Sequence, residues 1–163
     1  IAGIAHERGK AAIIAVNKWD SVEKDEKTMN KYLKDISMEL KYMEYAPKVF
    51  ISAMTGQRIN RMLELIQTVY HNHALRISTG VLNEVLIEAT AMQQPPADKG
   101  RQLRLYYMTQ VSIKPPTFVI FVNDKELMHF SYVRYLENKI RESFGFRGTP
   151  LKFIIRERKE KEQ

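Results

Sequence analysis

The sequence has no cysteine, no uninterrupted apolar run of membrane-spanning length and no methionine at its first position. Without cysteine the 163 residues can form neither disulfides nor thiolate zinc sites, which agrees with a reducing compartment. A membrane-spanning helix needs about 20 consecutive apolar residues, and no secretory signal is visible either. We therefore expect a cytoplasmic protein. Because the chain starts at Ile1, we expect it to be a piece of a longer protein.

What the sequence does contain is enough apolar material for packed cores and a modest excess of positive charge. Hydrophobic residues make up 44%, and the formal net charge is +7 with an isoelectric point near 9.5. This composition excludes a disordered chain, and a basic protein favours partners rich in phosphate. Charge does not separate the two halves, since residues 1–77 hold 12 Lys and Arg against 9 Asp and Glu, and residues 78–163 hold 14 against 10.

A short apolar run, residues 11–16, ends abruptly in the polar motif Asn17-Lys18-Trp19-Asp20. The run is continuous and partly β-branched, which favours a strand buried on both faces of a parallel sheet, and ligands of such sheets bind beyond the strand ends. There the Asp20 carboxylate can accept from N1–H and the exocyclic amino group of guanine, which adenine does not offer. The Lys18 stem can lie over the base, and Asn17 can tie neighbouring loops together. The alternative is an ordinary polar turn, in which Asn and Asp are common.

A second strand-like run, residues 48–51, is followed by Ser52-Ala53-Met54. On such a loop the backbone N–H of Ala53 can donate to the keto oxygen O6 of guanine. The two strand-end motifs are separated by a helical pattern, and the pair is harder to obtain by accident than either motif alone. The residues predicted to bind a guanine nucleotide are therefore Asn17, Lys18, Asp20, Ser52, Ala53 and Met54.

Hydrophobic periodicity predicts two domains, residues 1–77 and 78–163. In the first, apolar residues at helical spacing flank the two strand-like runs, which gives the order helix, strand, helix, strand, helix. Two parallel strands are too few for a stable sheet, so we expect the rest of that sheet to come from residues outside this chain. The expected fold of this domain is α/β, a partial G domain.

The second domain is expected to be α+β. Ser78 or Thr79 can cap its first helix, Ser131 can cap a later one, and Gly145 can close it. A loop is expected over 93–100, and strands over 103–113, 117–122 and 151–155. This order is satisfied by a three-stranded sheet with helices on one face.

Two features of the second domain bear on RNA. Gly145-Phe146-Arg147-Gly148 matches the Gly-x-x-Gly loop with which KH domains hold a nucleic-acid backbone, but it precedes a strand instead of joining two helices. We therefore favour a helix C-cap followed by a turn. Tyr106 and Tyr107 are neighbours on a predicted strand, so one can face the core while the other packs on the sheet or stacks on a base.

Together these segments resemble the Der (EngA) family of bacterial GTPases over essentially the whole chain. Besides the guanine motifs, the matching segments are Ile1-Ala2-Gly3, Ala5-His6-Glu7, Gly9-Lys10-Ala11, Ala46-Pro47, Thr109-Gln110-Val111 and residues 114–119, 127–132, 134–138, 144–146 and 148–150. Members of that family carry two G domains in tandem and then a KH-like domain without a working Gly-x-x-Gly loop, and they act in assembly of the large ribosomal subunit. The resemblance implies the end of the second G domain plus the KH-like domain.

The partners implied by the resemblance are a guanine nucleotide, the large (50S) ribosomal subunit with its rRNA, and the first G domain of the same parent chain, with no membrane. The chain departs from the family in lacking Gly-x-x-x-x-Gly-Lys-Ser/Thr and Asp-x-x-Gly. Without those loops nothing here can hold phosphates or Mg²⁺. We expect GTP or GDP as the cofactor, Mg²⁺ and hydrolysis in the intact parent alone, and no catalytic residue in this chain.

Other chemistry is expected at two places. His71 and His73 are two apart on a predicted helix and do not face each other, so a polar helix end is favoured over a metal site. Positive residues cluster in the second domain, and ribosome or RNA contact is predicted at Arg101, Arg104, Arg156, Arg158 and Lys159, with a solvated tail as the alternative. The rival function for the whole chain is a KH-like RNA- or protein-binding module that works without nucleotide.

Overall fold

The computed structural model describes residues 1–22 and 25–158, which form two compact units. The first unit contains Ile1–Ala74 and Phe146–Pro150, and the second contains Leu75–Gly145 and the chain from Leu151. Sequence periodicity placed the boundary after residue 77 and the segment 146–150 in the second domain, whereas here that segment belongs to the first unit. Within the described ranges, no helix combines the length and apolar character needed to cross a membrane.

The first unit is built around two parallel strands. Its elements are α1 (Ala2–Glu7), β1 (Ile14–Val16), α2 (Glu26–Glu39), β2 (Lys48–Phe50) and α3 (Ile59–His73), with 3-10 turns at Trp19–Ser21 and Lys41–Met43. β1 pairs with β2 so that Ala15 lies opposite Val49. The predicted order of helices and strands is confirmed, but β1 is not buried on both faces. Ala15 is exposed, and among the described residues β1 has a strand on one side alone.

The core of this unit lies between β2 and α3, and a side-chain cap stabilises the start of α2. Val49, Ile51 and Leu65 are buried together. α2 is capped at its N-terminus by Asp25, whose carboxylate accepts from the Thr28 hydroxyl at 2.7 Å and the Thr28 N–H at 2.6 Å. These hydrogen bonds lower the pKa of Asp25 from its ordinary value because they favour the charged form, and the bond from the hydroxyl has the largest effect.

The second unit contains the α+β domain. Its elements are α4 (Thr79–Met92), β3 (Ala97–Asp98), β4 (Arg101–Gln102), β5 (Leu105–Ser112), β6 (Thr117–Val122), α5 (Phe130–Phe144) and β7 (Lys152–Glu157), with a 3-10 turn at Lys125–Leu127. The three long strands lie in the order β5-β6-β7, with β5 antiparallel and β7 parallel to β6. The expected α+β class with a three-stranded sheet is confirmed.

Both helices cover one face of that sheet. Phe118, Ile120 and Val122, which alternate along β6, are fully buried, as the helix-covered face requires. α5 is joined to α4 by hydrogen bonds from the hydroxyls of Tyr132 and Tyr135 to the carbonyls of Gln93 and Ala89, at 2.9 and 2.7 Å. The opposite face of the sheet is therefore the one without a helix of this unit.

Two local predictions for this unit were wrong, and the cap predicted at Ser78 was right. Ser131 does not cap α5, because the N–H groups of Tyr132 and Val133 both donate to the His129 carbonyl and start the helix at Phe130. The expected loop over 93–100 contains β3, which pairs antiparallel with β4. Ser78 does cap α4, since its hydroxyl accepts from the Val81 N–H at 3.4 Å.

Candidate functional site

The two strand-end loops of the first unit are joined by hydrogen bonds. The Asn17 side-chain carbonyl accepts from the backbone N–H of Lys18 at 2.8 Å and from that of Ala53 at 3.1 Å. The backbone N–H of Trp19 donates to the Ile51 carbonyl at 3.1 Å. Asn17 therefore makes the loop-joining contact expected of it, and hydrogen bonds tie residues 17–20 to residues 51–53.

Trp19 anchors the first of these loops. Its side chain is buried, with ring centroids 4.5 Å from Phe50 and 5.7 Å from Tyr32. Lys18, just before it, has the left-handed backbone conformation with φ of 61°. That conformation costs a non-glycine residue roughly 1–3 kcal/mol and persists where the surrounding contacts enforce it. The buried indole and the Asn17 bonds supply that enforcement, while Lys18 and Asp20 stay exposed.

Ser52 shapes the second loop. It is fully buried, its hydroxyl accepts from the Thr55 N–H at 3.2 Å, and its carbonyl accepts from the Gly56 N–H at 2.9 Å. The Ala53 N–H, predicted to face guanine O6, donates to Asn17 instead. The N–H of Met54, the next along, has no hydrogen-bond partner in the part of the chain that the structure describes.

These loops line one cavity of about 270 Å³. Its walls are Asn17, Lys18, Asp20, Ser21, Ser52, Ala53 and Met54. Ligand pockets of drug size begin near roughly 300 Å³, so this volume suits a planar base. The Asp20 carboxylate accepts from no described residue, which leaves an anion at the cavity wall beside the unpartnered Met54 N–H.

Ser21 is the lining residue that sequence reasoning missed. Its hydroxyl donates to the Lys18 carbonyl at 2.8 Å and so helps to hold the left-handed turn. The signal was present in the sequence, because serine three residues after such a turn commonly bonds back to the chain. Position 21 was passed over because the motif that drew attention ends at Asp20.

Comparison with known proteins bears on both units. Residues 76–156 match the family model described as KH-domain-like of EngA bacterial GTPase enzymes, C-terminal. The chain is 68% identical over 160 residues to GTPase Der of Lachnoclostridium phytofermentans, covering 98% of this chain and 36% of that protein. It is 65% identical over 162 residues to GTPase Der of Agathobacter rectalis, covering 99% of this chain and 37% of that protein. The chain belongs to the Der (EngA) family.

The extent of these matches matters as much as their identity. They run through both units, including the strand-end loops of the first. The chain spans little more than a third of the length of these Der relatives. The activity and partners of a whole Der protein are therefore matters of proposal for this chain.

The glycine-rich segment 145–148 is a structural element, as the sequence favoured. Gly145 ends α5 with φ of 86°, and the chain then turns through Phe146, which is fully buried. Gly148 donates its N–H to the Tyr45 carbonyl and accepts from the Ala12 N–H, both at 2.8 Å. Because the backbone of Gly148 is fully engaged within the first unit, this segment does not act as a KH gripping loop.

The histidines near the end of α3 are partly accounted for by the same segment. The Nδ1 atom of His73 lies 2.8 Å from the Thr149 hydroxyl. The Asn72 side chain, between the two histidines, donates to the Arg147 carbonyl at 3.0 Å. No group of three His, Cys, Asp or Glu able to hold a metal occurs within residues 1–22 and 25–158.

The predicted RNA-contact residues fall into two groups. Arg101 pairs with Asp124 at 2.7 Å, and the backbone N–H of Arg104 donates to the Asn123 side chain at 2.8 Å. Arg156 lies near the end of β7, Arg158 directly follows that strand, and both are exposed. Lys159 lies outside the described residues. Neither Arg156 nor Arg158 pairs with a carboxylate of any described residue.

Proposed function

We propose that this chain supplies guanine-base recognition and an RNA-contacting KH-like domain to a cytoplasmic, GTP-hydrolysing protein that acts in biogenesis of the large ribosomal subunit. The observation that carries the nucleotide part is the convergence of two distant motifs, residues 17–20 and 52–54, on one cavity. Membership of the Der family and the KH-like match support the rest.

The base is held by groups that distinguish guanine from adenine. The Asp20 carboxylate accepts from N1–H and the exocyclic amino group, and adenine leaves that carboxylate unpaired, which costs binding energy. The Met54 N–H is the donor that can meet O6 without breaking the bond between Asn17 and Ala53. The Lys18 stem and the exposed Met54 side chain are apolar surfaces for the faces of the ring.

The phosphates and Mg²⁺ are bound elsewhere in the parent protein. This chain has no phosphate-binding loop, and its described residues hold no cluster of metal ligands. When bound in the parent, Mg²⁺ neutralises charge on the phosphates. We therefore assign GTP hydrolysis to the parent protein, and the first G domain of that parent chain is a further partner.

The experiment for the nucleotide part compares two nucleotides that differ in the base and carry the same number of phosphates. Isotope-labelled protein is titrated with GMP and, separately, with AMP, and amide NMR shifts are followed. We expect saturable shifts at Lys18, Asp20 and Met54 with GMP and none of that pattern with AMP. Equal shifts with both nucleotides would show that the cavity does not read the base.

A matched control separates base recognition from general charge. Asp25→Asn removes a carboxylate from the same unit, outside the cavity, and should leave the GMP titration unchanged. Asp20→Asn should abolish the preference for GMP. If both variants weaken GMP binding alike, the effect is one of net charge.

A further inference from the structure

We propose that the sheet of the second unit binds single-stranded RNA at the end where β6 and β7 finish. The binding surface is an aromatic–arginine patch made of Tyr107, Phe121, Arg156 and Arg158. This inference rests on the proposed function, which assigns RNA contact to this unit without saying which surface makes it. Tyr107 lies opposite Phe121, and Phe121 lies opposite Arg156, in the register of the three strands. Residues directly opposite each other point to the same face of a sheet.

The patch is on the face that the helices leave uncovered. Phe121 alternates with Ile120 and Val122, which are buried under the helices, so it points the other way. Further along the same face Val119 is buried, so the accessible part is the end that carries Tyr107 and Arg156. The proposal concerns that end alone.

The two rings form a flat apolar surface. The centroids of Tyr107 and Phe121 are 4.4 Å apart with an angle of 17° between the planes, and both side chains are partly exposed. The Arg158 guanidinium carbon lies 6.0 Å from the centre of the Tyr107 ring. A cross-strand aromatic pair also stabilises a sheet, but aromatic rings and arginine planes are the groups on which unpaired bases stack.

Charge selects a polyanion as the occupant. Arg156 and Arg158 are exposed and pair with no carboxylate of a described residue. Glu157 lies between them in sequence, but strand alternation turns it to the other face, where it accepts from the Lys125 N–H at 3.0 Å. Among the described residues, the two positive charges of the patch are therefore not neutralised by a carboxylate, which favours an anionic partner.

Stacking selects single strands over duplexes. A paired base has both faces covered by its neighbours in the helix, so a sheet surface can reach the backbone of a duplex but not its rings. A surface that combines rings and arginines gains contacts from an unpaired strand that a duplex cannot supply.

The test uses the whole chain and fluorescence anisotropy with a labelled ten-nucleotide oligo-U RNA, and the same length of duplex RNA for comparison. Arg156→Gln/Arg158→Gln should weaken oligo-U binding at least tenfold at 0.1 M salt. It should also lower the log–log salt slope by about 1.4, since each phosphate contact on a single strand contributes about 0.7. Arg134→Gln/Lys139→Gln, which removes two positive charges from α5, should leave the slope unchanged.

The aromatic part has its own pair of variants. Tyr107→Leu should weaken oligo-U binding about fivefold or more with the salt slope unchanged, and Tyr107→Phe should retain binding, because stacking needs the ring and not the hydroxyl. Thermal unfolding of each variant checks that the sheet is intact.

Four results would overturn the proposal, and they differ in what else they affect. RNA binding by the wild type with the same affinity and slope in all patch variants overturns the patch but leaves RNA contact by this unit standing. Equal affinity for duplex and single-stranded RNA would show that the patch binds polyanions in general. Tighter binding of a poly-glutamate peptide would identify an acidic protein as the partner. No RNA binding by the wild type at 0.1 M salt overturns both the patch and the RNA part of the proposed function.

Discussion

β1 and β6 are both short apolar strands, yet β6 is buried along almost its whole length and β1 is not. In β6 all residues but Phe121 are buried, whereas Ala15 in β1 is exposed and its neighbours are partly so. β6 has a strand on each side, while β1 pairs with β2 alone among the described residues. An apolar run therefore indicates that a strand needs cover, and the rest of the fold decides whether it receives it.

The same contrast separates the two units. The sheet of the second unit draws its buried residues from adjacent strands and from the helices that connect them. The first unit takes Phe146 and Gly148 from a segment more than 70 residues beyond α3. Its cavity is formed where its two strands end. Four experiments test this contrast between the two units, and they follow in order of expected effect.

The largest effect concerns the nucleotide. This chain should bind GTP very weakly even with Mg²⁺, because it has the residues proposed to contact the base but no loop to contact the phosphates. Each hydrogen bond to a charged group is worth about 1.5–3 kcal/mol, so three missing bonds alone account for a factor of roughly 10³ or more. Isothermal titration checks this, and micromolar or tighter binding would mean that the first unit holds phosphates by residues not identified above.

The second effect concerns the segment that the first unit takes from far along the chain. A Cβ on Gly148 would lie 2.2 Å from Cγ2 of Val69, and its φ is +88°. Overpacking and left-handed strain together predict that Gly148→Ala destabilises the first unit by about 2–5 kcal/mol. Trp19 is the one tryptophan of the chain and lies in this unit, so its fluorescence in a urea titration reports the loss.

Two further variants separate the clash from the strain. Gly56→Ala, in the same unit at φ of +78° with no neighbour within 4 Å, carries the strain without the clash and should cost less. Val69→Ala should partly rescue Gly148→Ala. An unchanged urea midpoint for Gly148→Ala would show that the first unit does not depend on this segment.

Most of the successful predictions from the sequence concern features set by local interactions. Periodicity placed the helices, Ser78 and Gly145 marked helix ends, and the strand-end motifs brought the cavity residues to notice. Sequence reasoning failed where a distant partner decides. The burial of Phe146 depends on the first unit, and the Ala53 N–H is directed by Asn17, 36 residues earlier in the chain. The cap predicted at Ser131 was wrong for a different reason. The N–H groups of Tyr132 and Val133 donate to the carbonyl of His129, so His129 is the N-cap although its side chain makes no cap bond.

The third effect tests the cavity in the intact parent protein. Asp20→Asn should weaken guanine nucleotides at least tenfold, since losing a hydrogen bond to a charged partner costs about 1.5–3 kcal/mol. The new amide can donate to the C2 carbonyl of xanthine, so xanthosine diphosphate should bind better than it does to the unchanged protein. Competition binding of the two diphosphates measures both changes. An unchanged preference for GDP would remove Asp20 from the site.

The smallest effect compares two helix starts within the second unit. Ser78 accepts from the Val81 N–H at 3.4 Å, whereas His129 makes no side-chain cap bond at the start of α5. Ser78→Ala should therefore lower the free energy of unfolding of this unit by about 0.5–1 kcal/mol, at the low end for caps because the bond is long. His129→Ala should change it by less, since both residues are exposed and alanine removes no bond there. Urea titrations followed by amide NMR signals from β6 measure both variants. Equal losses would show that exposure, and not capping, governs these two positions.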